Sequence, residues 1–102
     1  MKKIYGIIGN PLGQSASPAF FNKKFADEGI DAEYLPFELQ SIEELPQILE
    51  KHPTLSGFNV TIPYKETILP FLNEVTPEAQ IVGAVNCVKV INREGNKYLI
   101  GY

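Results

Sequence analysis

Three short apolar runs, Ile4 to Gly9, Ala32 to Leu39 and Leu55 to Ile62, alternate along the chain with stretches of helical period. This alternation constrains the fold more than any other feature. Strands separated by helices pair in parallel through right-handed crossovers and bury both faces of a sheet. After the first run, Ser17-Pro18 opens a helix, with Ser17 as N-cap and Pro18 at the first helical position. Phe21 and Phe25 then lie four apart on one helix face, and Gly29 supplies the stop. Pro36 assigns the second run to a sheet edge, because it cannot donate to a ladder. Ser41 and Glu44 have capping-box spacing, and Ile42, Leu45 and Leu49 follow at helical intervals. Pro46 predicts a loose first turn and a short helix to about Lys51. Thr67 to Leu72 reads as a short helix, and Thr76-Pro77 caps another that runs to Val82 and stops at Gly83. Asn86 to Ile91 alternates as a strand, Arg93 to Asn96 is turn chemistry, and Lys97 to Ile100 returns as a hairpin partner. The order β-α-β-α-β-α-α-β-β predicts an α/β fold: three layers, a mostly parallel twisted sheet with helices on both faces, and a C-terminal antiparallel hairpin.

The 102 residues fit a single domain spanning 1–102. A hydrophobic content of 44% excludes a disordered tail. The chain is too short for a dinucleotide-binding domain plus a substrate domain. A net charge of −3 and a pI near 5.1 argue against a fold-wide basic face for nucleic acid. Cys87, the single cysteine, has no disulfide partner, and with His52, the single histidine, it makes a poor zinc site. Lys2 and Lys3 precede an apolar run too short for a signal peptide or a membrane span, so the expected location is the cytoplasm. Asn59-Val60-Thr61 fits a glycosylation sequon, but without a secretory route it is read as site chemistry. The chain ends at Gly101-Tyr102 while still in a strand pattern, which reads as a cut.

The first glycine loop fits neither common nucleotide fingerprint. Gly6, Gly9 and Gly13 are spaced three and four apart, Pro11 removes a donor, and Gln14 stands where a P-loop needs Lys. The loop does place Ser15 and Ser17 two apart beside a helix start, where two hydroxyls and free N–H groups suit a small anion such as a carboxylate. The plainer alternative makes Ser17 only a cap and Ser15 only a loop residue. A second cluster follows the third apolar run. Asn59 and Thr61 share one face of an extended segment, opposite Phe58, Val60 and Ile62, and Lys65 follows. Ligands of open α/β sheets bind just outside the C-terminal strand ends. Lys65 is the candidate proton-transfer group, against the ordinary reading of an exposed lysine opening a helix. Asn86, in Gly83-Ala84-Val85-Asn86, can bond a ligand hydroxyl or brace a loop. Cys87 reads as a small apolar residue and His52 as a surface one. Together the set suits a small polyhydroxylated carboxylic acid.

Gly9-Asn10-Pro11, Ser15-x-Ser17-Pro18, Asn59 to Lys65 and Gly83 to Asn86 occur in order, and the whole chain resembles the N-terminal substrate-binding domain of the shikimate dehydrogenase family. The resemblance implies an enzyme that reduces 3-dehydroshikimate to shikimate with NADPH, in the pathway to aromatic amino acids. It implies that Ser15 and Ser17 hold the substrate carboxylate, that Thr61 and Asn86 contact substrate, and that Asn59 contacts or braces. It makes Lys65 the catalytic lysine. Two departures stand out: Phe21-Asn22 where the family often has His-Asn, and Cys87 where Thr is expected. The family's Asn-Thr-Asp, whose Asp partners the lysine, would come just after Tyr102, and the NADP-binding Rossmann domain is also absent, so the chain alone is expected to be inactive. No cofactor-binding or metal-ligating residue is assigned, and a homodimer is admitted. A quinate/shikimate dehydrogenase of broader specificity and a stand-alone small-carboxylate sensor are the alternatives.

Overall fold

Buried side chains on both faces of a six-stranded sheet organise the molecule. The computed structural model describes residues 2–13 and 16–102, so the expectation for Ser15 lies outside the described residues. Strands β1 (Lys3–Gly9), β2 (Ala32–Glu38), β3 (Leu55–Val60), β4 (Glu74–Val75), β5 (Cys87–Arg93) and β6 (Asn96–Gly101) alternate with helices α1 (Ser17–Asp27), α2 (Leu45–Lys51) and α3 (Pro77–Val82). The spatial order is β2-β1-β3-β5-β6-β4. β1 pairs parallel with β2 and β3, β4 parallel with β6, and β5 antiparallel with β3 and β6. The expected mostly parallel α/β sheet with a C-terminal antiparallel hairpin is therefore present.

Period-two alternation in β1 separates the layers. Ile8, fully buried, joins Leu45, Leu55, Ile68 and Val85 in the larger core. Its neighbour Ile7 faces the other way, with Tyr34, Phe21 and Phe25 under α1. Pro36 sits in β2, at the sheet edge as expected. Ser41 and Glu44 complete a capping box on a 3-10 turn, Ile42–Glu44, which leads into α2. Thr76 caps α3 by accepting from the Ala79 N–H, and Gly83 closes it in the left-handed region at φ 77°. Glu94 and Gly95, both at positive φ, turn the β5–β6 hairpin.

Local readings needed correction in several places. Ser17 is the first residue of α1 and not its cap: Ala16 holds the cap position, and no side chain bonds there. The helix expected over Thr67 to Leu72 is a 3-10 turn at Leu69–Phe71. β3 ends at Val60, so Ile62 leaves the buried row and is 66% exposed. Asn86 precedes β5 and does not lie in it. His52 is half-buried, with its ring 5.2 Å from that of Phe37. The two-residue β4 was not anticipated.

Candidate functional site

The C-terminal ends of β1 and β3 lie side by side because their strands pair in parallel. Gly9 ends β1 beside Thr61. A Cβ at Gly9 would strike Thr61 Cγ2 and come within 3.1 Å of the Ile62 carbonyl, so glycine is what permits this approach. The Thr61 N–H donates to the Ile8 carbonyl at 3.0 Å, and Asn10 N–H to the Ile62 carbonyl at 3.1 Å. Asn10 Nδ2 also donates to the Leu39 carbonyl at 3.0 Å, tying the loop after β1 to the end of β2.

Lys65 and Asn86 reach the same rim through the backbone. Val85 N–H donates to the Lys65 carbonyl at 2.9 Å, and Val60 N–H to the Asn86 carbonyl at 2.7 Å. Tyr64, buried beside Lys65, anchors this turn: its hydroxyl donates to the Leu39 carbonyl and its N–H to the Thr61 carbonyl. Burial, and secondarily the Glu44 carboxylate, pushes the Tyr64 phenol up from its ordinary value, so it remains a donor. Thr61 and Lys65 are half-buried and Asn86 is exposed. The main chain thus brings Thr61, Lys65 and Asn86 together.

Asn59 belongs to a second group, which the sequence pattern only half revealed. It points to the α1 face, where its Nδ2 donates to the Tyr34 hydroxyl at 2.8 Å. Tyr34 is 4% exposed, and its ring stacks on Phe21 with centroids 4.9 Å apart. Asn22 clamps its backbone from α1: Oδ1 accepts from the Tyr34 N–H at 2.7 Å, and Nδ2 donates to its carbonyl at 2.9 Å. Burial raises the Tyr34 phenol above its ordinary value, while hydrogen bonds from Asn59 and Ser17 oppose that rise. Sequence reasoning missed Tyr34 and gave Asn22 no role. The available signal was a tyrosine beside Leu35 and Phe37 in a strand and an amide on a helix face between two phenylalanines.

Two hollows border these groups and share no lining residue. One, about 440 Å³, is lined by Asn59, Tyr5, Phe25, Tyr34 and half-buried Cys87. The other, about 300 Å³, is lined by Asn86, Thr76, Val82 and Tyr102. Ser17, Thr61 and Lys65 line neither. Among the described residues no helix is long and apolar enough to cross a membrane.

An open α/β sheet with hydroxyl, amide and amine side chains at adjoining strand ends defines a domain of the substrate-binding kind. Residues 7–88 match the family model described as the shikimate dehydrogenase substrate binding domain, and the chain belongs to that family. It is 44% identical over 104 residues to the shikimate dehydrogenase (NADP(+)) of Bacillus mycoides, covering all of this chain but 36% of that protein. The chain thus spans about a third of the length of such relatives. Among solved structures, the dehydroquinate dehydratase and shikimate dehydrogenase of S. pombe AroM superposes with a TM-score of 0.89 at 31% identity, over 99% of this chain and 19% of that one. Shikimate 5-dehydrogenase from Thermus thermophilus, solved in complex with shikimate, gives 0.79 at 35% identity, over 97% of this chain and 37% of that one.

Proposed function

We propose that residues 1–102 form the substrate-binding domain of an NADP-dependent shikimate dehydrogenase, which interconverts 3-dehydroshikimate and shikimate in aromatic amino acid biosynthesis. The observation that carries this reading is the backbone arrangement that seats Thr61, Lys65 and Asn86 at one rim of the sheet in a member of this family. The substrate is a ring carboxylate bearing hydroxyls and, when oxidised, a ketone. Ser15 and Ser17 take the carboxylate. Asn59, Thr61 and Asn86 take ring hydroxyls. Lys65 moves the proton at the oxygen that changes between ketone and alcohol.

The described residues do not fit a dinucleotide. Gly6 and Gly9 lie inside β1, where a Cβ would strike Phe37 and Thr61, and so they serve packing and not a phosphate cradle. NADP would be held by other polypeptide of the whole enzyme. The same reading places the protein in the cytoplasm, acting on a small molecule.

Titration of the isotope-labelled chain with shikimate tests this. Amide shifts are expected at Ser17, Thr61, Lys65 and Asn86, and no shift at millimolar ligand overturns the reading. The chain by itself is expected to show no NADP-dependent oxidation of shikimate. A robust rate would refute its assignment as the substrate half alone.

A further inference from the structure

Tyr34 lies between the two elements that carry the proposed ligand contacts, and neither the family match nor the sequence motifs assign it a role. Its hydroxyl accepts from Asn59 Nδ2 at 2.8 Å. A phenol accepts through its lone pairs, and an amide donates through its nitrogen and accepts through its oxygen. The Asn59 amide is therefore held with its nitrogen toward Tyr34, which leaves Oδ1 as the acceptor for a ligand.

We propose that Tyr34 is a positioning residue that orients the Asn59 amide, so that its Oδ1 accepts from a substrate hydroxyl. This rests on the functional reading above. The surroundings supply the rigidity such a role needs. The Tyr34 ring is stacked on Phe21 of α1, and the Asn22 side chain grips its backbone with two hydrogen bonds. The phenolic oxygen is therefore fixed relative to both α1, which carries Ser17, and β3, which carries Asn59. Neither the stack nor the clamp uses the hydroxyl, so that group can be removed while the packing stays.

The test is Tyr34→Phe in the labelled chain, read by shikimate titration and by the side-chain amide signals of Asn59. The expected result is affinity weakened about tenfold, the effect of losing one well-placed hydrogen bond. The Asn59 NH2 signals should move to the positions of a free amide, while backbone signals of α2 and α3 stay in place. In an Asn59→Ala background, Tyr34→Phe should weaken binding much less than it does alone, because the two act as a unit. Three results overturn the proposal and leave the functional reading intact: unchanged affinity in Tyr34→Phe, unmoved Asn59 signals, or fully additive losses in the double variant. Absence of shikimate binding by the unsubstituted chain overturns the functional reading first, and this inference with it.

Discussion

At the scale of single residues, the proposed site depends on one close approach and one amine. Gly9→Ala would drive a methyl into Thr61 and against the Ile62 carbonyl. The expected cost is about 1–3 kcal/mol, as for other overpacked positions, measured by urea unfolding, together with weaker shikimate binding as Thr61 shifts. Lys65→Met has a different expected signature. Lys65 is half-buried and its side chain enters no ion pair among the described residues, so stability should change by less than about 0.5 kcal/mol. On the function proposed above, turnover of the whole enzyme should fall by roughly 10²–10⁴-fold, since Lys65 is its proton-transfer group. Parallel thermal melts and kcat measurements separate the two effects. Thr61 was legible as the close of a strand, because a polar side chain at the end of an apolar run marks a strand end in an α/β chain. Gly9 read only as part of a turn cluster, because the Thr61 and Ile62 atoms it must avoid lie more than fifty residues away along the chain. Tyr34 was invisible for a similar reason: its partners come from α1 and β3, and no local pattern links them.

At the scale of elements, the helix ends carry the clearest expectations. Gly83 holds φ 77°, and a methyl group added there would meet no neighbour within 4 Å, so Gly83→Ala tests backbone strain and not crowding. The expected loss is about 1–2 kcal/mol, the usual cost of the left-handed region for a residue with a Cβ, read from the urea midpoint at constant m. The Ser41 capping box and the Thr76 cap were readable because a cap is a local arrangement between residues two or three apart. Ser17 misled because a serine before proline has the composition of a cap, whereas Ala16 takes that position and no side chain caps α1. β4 was illegible because nothing in Glu74-Val75 announces a strand. Its existence depends on β6, with Val75 opposite Gly101, and on Asn73, whose Oδ1 accepts from the Leu99 N–H at 2.7 Å.

At the scale of the whole molecule, the sheet divides two apolar layers of unequal size. Leu45 and Ile68 are fully buried in the larger one. Leu45→Ala or Ile68→Ala should cost about 2–5 kcal/mol, enough to unfold much of a domain this small, and calorimetry would register it. High pH should act through the tyrosines. Burial raises the phenols of Tyr34 and Tyr64, and the Glu74 carboxylate bonded to Tyr98 raises that one. Each phenol keeps its proton more firmly in the fold than in the unfolded chain. The stability this adds is complete below the ordinary tyrosine value of about 10, and it is lost as pH rises through the higher folded values. A falling urea midpoint above pH 10, alongside ultraviolet phenolate titration, would register this. The three-layer order was legible because alternating strand and helix patterns admit few packings. The antiparallel entry of β5 beside β3 was not, since it depends on how the turns after β3 and α3 redirect the chain. The two margins of the sheet have one more effect. On one side, β2 offers an unpaired row interrupted by Pro36 and flanked by Glu33 and Glu38. On the other, β4 is two residues long. A stray extended peptide finds no continuous ladder to extend at either margin, so the domain resists growing into intermolecular fibrils by edge addition.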